Sequence, residues 1–425
     1  MIDSAANGGD LLITNIGQLV DPGEGAVSAP LEIVADAFVW IRGGRVVAAG
    51  PMSALPGDAA GTPALDAGGR VALPGLVDSH THAVFGATRE HEFEQRLAGA
   101  SYQEIAEQGG GIGFSVLDLR ARSEDDLVHL SRPRLAASAR FGVTTVEVKS
   151  GYGLATEQEL KMLRVVARLA TEPQLPRLVP TFLGAHAVPV EFAADRAAFV
   201  RLVVDEMLPA VAAERLAEFC DVFCDQGAFT RDEAEMILRR AAELGFGLKI
   251  HADEFVPLGG TQLAVELGAA SVDHLVAVDD VGIAALAESD TVATLLPGTS
   301  FFLRLDRHAP ARALADRGAN LALATDFNPG TSMTQNLLLM VAFGCCSLGL
   351  TVGEALRAVT RGGALALQRM DRGTLMPGAV GDVALFEVPD YRHLAYHYGM
   401  SHCVVTIKGG EVIWRRAEGG SRFPT

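Results

Sequence analysis

The sequence predicts an α/β protein: a TIM-like (β/α)₈ barrel with a small β-sandwich-like domain built from both termini. Between residues 75 and 326, eight short apolar runs alternate with segments of helical periodicity, the pattern of parallel βα units. Those runs end on polar side chains, and a barrel of this type keeps its chemistry at the C-terminal ends of its strands. In addition, Val39-Trp40-Ile41-Arg42-Gly43-Gly44-Arg45-Val46-Val47 near one terminus has a near copy close to the other, Val405-Thr406-Ile407-Lys408-Gly409-Gly410-Glu411-Val412-Ile413.

Taken in order, Leu11–Ile16 and Phe38–Gly50 read as strands, with Gly43-Gly44 as a hairpin turn. The barrel strands are expected at Gly75–His82, Thr144–Lys149, Leu178–His186, Asp221–Asp225, Leu248–His251, Ser271–Leu275, Val292–Leu296 and Leu321–Asp326. Helical segments between them include Glu157–Ala170, Ala193–Leu216, Arg231–Leu244 and Thr261–Leu267. Gly381–Val388 and Val404–Trp414 return to β. The economical division is a composite β domain, 1–72 plus 375–425, around a barrel of residues 73–374, with two separate small domains as the alternative.

At 425 residues the chain exceeds a barrel of about 250 and leaves room for the appended lobe. A hydrophobic content of 49% with 20% charged residues describes a large buried core rather than a disordered chain. Net charge is −17, which argues against nucleic acid or an anionic membrane as partner. An anionic substrate would then need specific cations set against the overall field. The five cysteines are odd in number and irregularly spaced, so free thiols in a reducing cytoplasm are expected. Cys345 and Cys346 lie in the apolar stretch Asn336–Leu350 and are expected to be buried. That stretch is too short to span a membrane and reads as a barrel helix. Met1-Ile2-Asp3-Ser4 lacks the basic and apolar regions of a secretory signal.

The first barrel run ends in His80-Thr81-His82. On extended chain, residues i and i+2 share a face, so both imidazoles project together, as two ligands of one metal ion must. An isolated pair equally suits two structural histidines. Later strand ends supply partners. His251 closes Leu248-Lys249-Ile250, and Asp326 closes the apolar run from Leu321. A carboxylate in that position needs a charge partner or a metal, a helix N-cap being the alternative. His80, His82, His251 and Asp326 therefore form a His₃Asp set suited to one divalent or trivalent metal ion, zinc or iron. No lysine closes the fourth strand, so a carbamylated lysine bridging two metals is not expected.

Glu254 is a candidate general acid or base, or else a solvated loop carboxylate. His186 and His274 could each polarise a carbonyl or shuttle a proton, or serve as structural histidines. Arg89, Tyr102 and Tyr152 are candidate substrate-orienting groups. Arg89 can clamp a carboxylate bidentately, or pair at the surface with Glu90 or Glu92. Glu147 and Lys149 share one strand face and are expected to pair. Gly109-Gly110-Gly111-Ile112-Gly113 lacks the register of a nucleotide loop and is expected to be a flexible active-site loop.

Particular stretches go further: Pro74–His82, Phe93–Leu97, Gln108–Ile112, Val146–Gly153, His251–Phe255 and Ala324–Gly330, of which Lys149-Ser150-Gly151-Tyr152-Gly153 and His251-Ala252-Asp253-Glu254 are the more particular. Together they resemble the imidazolonepropionase family of histidine degradation, within the amidohydrolase superfamily. The resemblance implies hydrolysis of the cyclic amide C–N bond of 4-imidazolone-5-propanoate, a small anionic substrate, to N-formimidoyl-L-glutamate. It implies a metal on His80, His82, His251 and Asp326, and substrate contacts from Arg89, Tyr152, His186, Glu254, Asn328, Gly330 and Thr331. A homodimer is the assembly it implies. Asp326 would take the proton of the attacking water, His274 or His186 would support the developing oxyanion, and Glu254 would hold the ring nitrogens and protonate the leaving one. The rivals are another cyclic-amide hydrolase or a nucleobase deaminase on the same barrel, and a metal-binding relative without catalysis.

Overall fold

The computed structural model describes residues 9–100, 104–105 and 109–417. Tyr102 lies outside the described residues. The chain begins with β1 (Leu11–Asp21), β2 (Glu32–Arg42), β3 (Arg45–Pro51), β4 (Ala64–Asp66) and β5 (Val71–Pro74). The barrel strands are β6 (Leu76–Asp78), β7 (Val143–Lys149), β8 (Arg177–Ala185), β9 (Phe219–Cys224), β10 (Gly247–Ala252), β11 (Ser271–His274), β12 (Val292–Leu295) and β13 (Leu321–Leu323). Three more follow: β14 (Val383–Phe386), β15 (Cys403–Lys408) and β16 (Glu411–Arg415).

Both termini meet in one eight-stranded mixed sheet, ordered β16-β15-β14-β5-β1-β2-β3 with β4 beside β1. The matching hairpins β2/β3 and β15/β16 turn on Gly43-Gly44 and Gly409-Gly410. All four glycines are left-handed, with φ of 57°, 75°, 58° and 80°, as a two-residue turn between twisted strands requires. Ile13, Ile16, Val39, Ile41, Val383, Leu385 and Ile407 form this sheet's core.

β6 to β13 pair in chain order and in parallel. The ring closes just past the ends of β6 and β13. Thr81 bridges Phe327, Asp326 N donates to His80 O at 3.0 Å, and His82 N donates to Phe327 O at 2.9 Å. The segment bearing two histidines is thus hydrogen-bonded to the segment bearing Asp326. Outside the barrel, amphipathic helices cover the strands. Thr156–Ala170 buries Leu160, Leu163, Val166 and Leu169 at helical spacing, and Arg231–Glu243 starts from a capping box between Thr230 and Glu233.

The structure changes several sequence expectations. Gly75–His82 is not one strand: β5 belongs to the terminal sheet, and the chain passes into the barrel at Gly75. A Cβ there would lie 2.3 Å from Thr144 Oγ1, so only glycine allows so close a passage. Ala193–Leu216 divides into Arg196–Leu202, a π-helical turn Val203–Met207 and Leu208–Glu214. Pro209, which has no N–H to donate, sits at that junction. Gly111 opens the helix Gly111–Ala121 and donates its N–H to Glu92 Oε1 at 2.9 Å, where a flexible loop was expected. All five thiols are free, but Cys345 is only partly buried and Cys346 is exposed, because the helix Leu337–Cys346 reaches the surface in its last turn. No helix among the described residues is long and apolar enough to cross a membrane.

Candidate metal and substrate site

Three strand ends converge at the barrel mouth. His80 and His82 follow β6, His251 lies in β10, and Asp326 follows β13. Ligand-capable nitrogens of His80, His82 and His251 lie within 4.8 Å of one another, and all three residues are buried. Asp326 Oδ1 is 3.5 Å from both His80 Nε2 and His82 Nε2. Burial first, with neighbouring positive and imidazole groups, holds the His80 and His82 pKa values well below the ordinary range. Neutral imidazole is the metal-binding form.

His80 Nε2 and His251 Nε2 are buried and accept no hydrogen bond. Buried polar atoms normally find a partner, and no protein group serves these. Orphaned nitrogens converging beside a carboxylate fit a metal ion with nitrogen-rich ligands. Asp326 is no helix N-cap: Thr299 Oγ1 donates to its Oδ2 at 2.5 Å, and burial pushes its pKa up to about 6. Asp253, His274, Leu275 and Asp326 adopt positive φ of 55°, 84°, 61° and 51°. Such backbone is uncommon for residues with side chains, and its clustering at strand ends marks a locally strained site.

Around this centre, the His186 ring stacks on His82 with centroids 5.1 Å apart, and its Nδ1 lies 3.0 Å from Gly151 O. Only a protonated Nδ1 can donate to that carbonyl, and burial lowers the His186 pKa to about 3, so the ring is neutral. Tyr152 lies 6.0 Å from the His82 ring and 5.4 Å from that of His186. The His274 ring is 5.3 Å from His251, and its Nδ1 is 3.6 Å from Glu254 Oε2. Burial, then the Asp326 and Asp225 carboxylates, raises the Glu254 pKa well above the usual range and favours the protonated acid. Glu254 is buried, not a solvated loop carboxylate.

Arg89 is likewise buried rather than at the surface. Its Nε and Nη2 donate to Glu92 Oε2 at 2.9 and 2.7 Å. Its guanidinium lies against Gly330, where a Cβ would come within 2.4 Å of Nη1. Gly330 sits in a turn built by Asn328, whose Oδ1 accepts from the Gly330 and Thr331 N–H groups at 2.8 and 2.7 Å. Asn328 Nδ2 donates to Asp326 O at 2.6 Å and to Thr331 Oγ1 at 2.8 Å. The Asn328 amide is therefore committed to its own turn. Arg96 Nη2 donates to Gly330 O at 2.9 Å from the helix Glu90–Leu97.

With this geometry in place, comparison with known proteins gives the family. A sequence profile described as "Amidohydrolase family" matches residues 106–414. An imidazolonepropionase from Herpetosiphon aurantiacus is 48% identical over 420 residues, covering 96% of this chain and 97% of the relative. The chain belongs to the imidazolonepropionase family of amidohydrolases. Among solved structures, a triazine hydrolase variant aligns with a TM-score of 0.75 at 18% identity, over 95% of this chain and 94% of the other. An atrazine chlorohydrolase from Arthrobacter aurescens, complexed with zinc, aligns at 0.70 and 19% identity over 95% and 94% of the two chains. At those identities the likeness is one of fold.

In this imidazolonepropionase-family barrel, a layer beneath the histidines holds the expected Glu147–Lys149 pair together with carboxylates given no role from sequence. Asp273 Oδ2 lies 2.6 Å from His80 Nδ1, and Asp221 Oδ2 lies 3.0 Å from His251 Nδ1, off the line of a good hydrogen bond. Asp225 accepts from the N–H groups of Glu254, Phe255 and Val256 at 2.7, 3.0 and 3.2 Å, fixing the loop that carries Glu254. A signal was present. Glu147/Lys149, Lys249/His251 and Ser271/Asp273 are polar i, i+2 pairs within apolar strands, and each pair shares one strand face.

Proposed function

We propose that this chain opens the cyclic amide of 4-imidazolone-5-propanoate by adding water, giving N-formimidoyl-L-glutamate, the imidazolonepropionase step of histidine degradation. The observation that carries it is 48% identity to an imidazolonepropionase over 96% of the chain. His80, His82, His251 and Asp326 would hold one metal ion, zinc or iron, and the zinc in the atrazine chlorohydrolase supports zinc. When bound, such an ion supplies Lewis acidity, bringing the pKa of a water from 15.7 toward about 7.

The chain's own groups divide the remaining work. Arg89, oriented by Glu92 and wedged against Gly330, binds the propanoate in a protein that is otherwise strongly acidic. Tyr152 and His186 pack the five-membered ring beside His82. Asp326 Oδ1 accepts a proton from the attacking water as the new C–O bond forms at the lactam carbonyl. His274 supports the developing oxyanion through the ring nitrogen that does not face Glu254. As the C–N bond breaks, Glu254 gives its proton to the departing nitrogen. That nitrogen leaves as part of an amidine, a milder leaving group than an alkyl amine. Asn328 acts by holding the turn that presents Gly330 and Thr331.

Product analysis tests the function. Freshly generated imidazolonepropanoate should be converted to formimidoylglutamate with no release of ammonia. Ammonia release from a substrate with an exocyclic amine, with imidazolonepropanoate left intact, would make the chain a deaminase instead. Gly330→Ala tests the carboxylate site: its methyl group must displace a guanidinium pinned by Glu92. The expected result is a KM raised at least about 10-fold, since misplacing a positioning group by 1 Å can cost as much as 10²-fold. An unchanged KM in steady-state assays would remove Arg89 from the substrate site.

A further inference from the structure

Beneath the metal-site histidines lies a closed group of five buried charged side chains that the reaction does not use. Lys149 Nζ is 3.0 Å from Glu147 Oε1 and 2.7 Å from Asp221 Oδ2. Lys249 Nζ is 2.9 Å from Glu147 Oε1 and donates to Ser79 O at 2.9 Å. Asp273 Oδ2 stands 3.7 and 3.8 Å from the two ammonium groups, and its Oδ1 accepts from Ser271 Oγ at 2.6 Å. Glu147 Oε1 also accepts from Thr181 Oγ1 at 2.6 Å. All five charged side chains are fully buried.

Two consequences follow from this arrangement. With Asp273 ionised beside the two ammonium groups, its Oδ2, 2.6 Å from His80 Nδ1, accepts from that nitrogen, so Nδ1 carries the proton and the lone pair is left on Nε2, the atom facing Asp326. Asp221 holds His251 differently: its Oδ1 accepts from the His251 backbone N–H at 3.2 Å, while its Oδ2 stands 3.0 Å from Nδ1 off the line of a hydrogen bond. The second consequence is one of charge. Three carboxylates stand against two ammonium groups, which leaves one buried negative charge directly under the histidines. Buried charge without a partner is costly, and a cation on the imidazoles supplies the partner. The space among His80, Glu147 and Asp273 that could itself attract a cation already holds the two ammonium groups.

Resting on the proposal that the histidines hold a metal, we propose that this buried group sets how tightly the ion is retained. Asp273 and Asp221 act as positioning residues for His80 and His251, and Lys149 and Lys249 hold those carboxylates in place. Loss of an outer carboxylate of this kind weakens metal affinity about 10–100-fold.

The test is competition for Zn²⁺ between the full-length protein and a fluorescent chelator, paired with thermal melts of stripped and zinc-loaded forms. Asp273→Asn keeps the shape and removes the charge. Its zinc affinity is expected to fall about 10–100-fold, with a smaller melting-temperature gain on loading and a stripped form no less stable than wild type. Affinity within about twofold of wild type, well below that range, in a folded variant would overturn the proposal. So would a less stable stripped form with unchanged affinity, which is what a purely structural role predicts. Asp221→Asn is read in the same way at His251. A second measurement needs no variant: in zinc-loaded wild type labelled with ¹⁵N-histidine, His80 should carry its proton on Nδ1, and a proton on Nε2 would overturn the assignment. If wild type itself takes up no zinc, the metal-site proposal fails, a result distinct from failure of this one.

Discussion

Replacing Asp326 with asparagine should lower kcat by about 10²–10⁴-fold, the usual contribution of a positioned general base. Asparagine matches aspartate in size, so the Thr299 contact and the ring closure between Asp326 N and His80 O can persist. What is lost is the carboxylate that lies 3.5 Å from two imidazole nitrogens and can take a proton from water. KM should move much less than kcat, because Arg89 and its Gly330 neighbour, which we propose bind the propanoate, are untouched. The measurement is steady-state kinetics at saturating zinc, with a thermal melt to show that the variant is folded. Undiminished turnover would remove Asp326 from the reaction.

The largest effect on stability should come from Lys149→Met. The ammonium is fully buried between Asp221 and Glu147, and its removal leaves three buried carboxylates facing Lys249 alone. Burial works against the Lys149 charge, but the Asp221, Glu147 and Asp273 carboxylates outweigh it and hold its pKa above the ordinary lysine value. Breaking a buried pair in this way costs about 3–5 kcal/mol. Arg239→Met, which breaks an exposed i, i+4 pair with Glu235, should cost under about 0.5 kcal/mol. Urea denaturation of the two variants beside wild type separates them. Equal losses would mean that the buried group is not a stabilising unit.

How much of this was legible in the sequence depended on distance along the chain. The barrel was legible because each strand carries its own apolar run and turn signals, so β7 to β12 fall within about two residues of where the pattern puts them. His80 and His82 were legible because the i, i+2 rule is local. Arg89 was named as a candidate clamp, but its burial was not legible: with Glu92 three residues on, it could equally be read as half of a surface ion pair. Its burial comes from Gly330 and from packing that no local pattern reports. Asp273 and His80 are separated by 193 positions, and only barrel closure brings them together. The exposure of Cys346 failed for a related reason. Apolar neighbours in sequence do not say where a helix leaves the core.

The claim on which the rest stands is that one ion, gripped by three imidazoles and Asp326, makes this barrel a hydrolase. Titrating chelator-stripped protein with Zn²⁺ or Fe²⁺ while following loss of imidazolonepropanoate tests it most directly. The expected result is no turnover in stripped protein and a rise that reaches its plateau at one equivalent of metal. Full turnover by protein shown to be metal-free would contradict it.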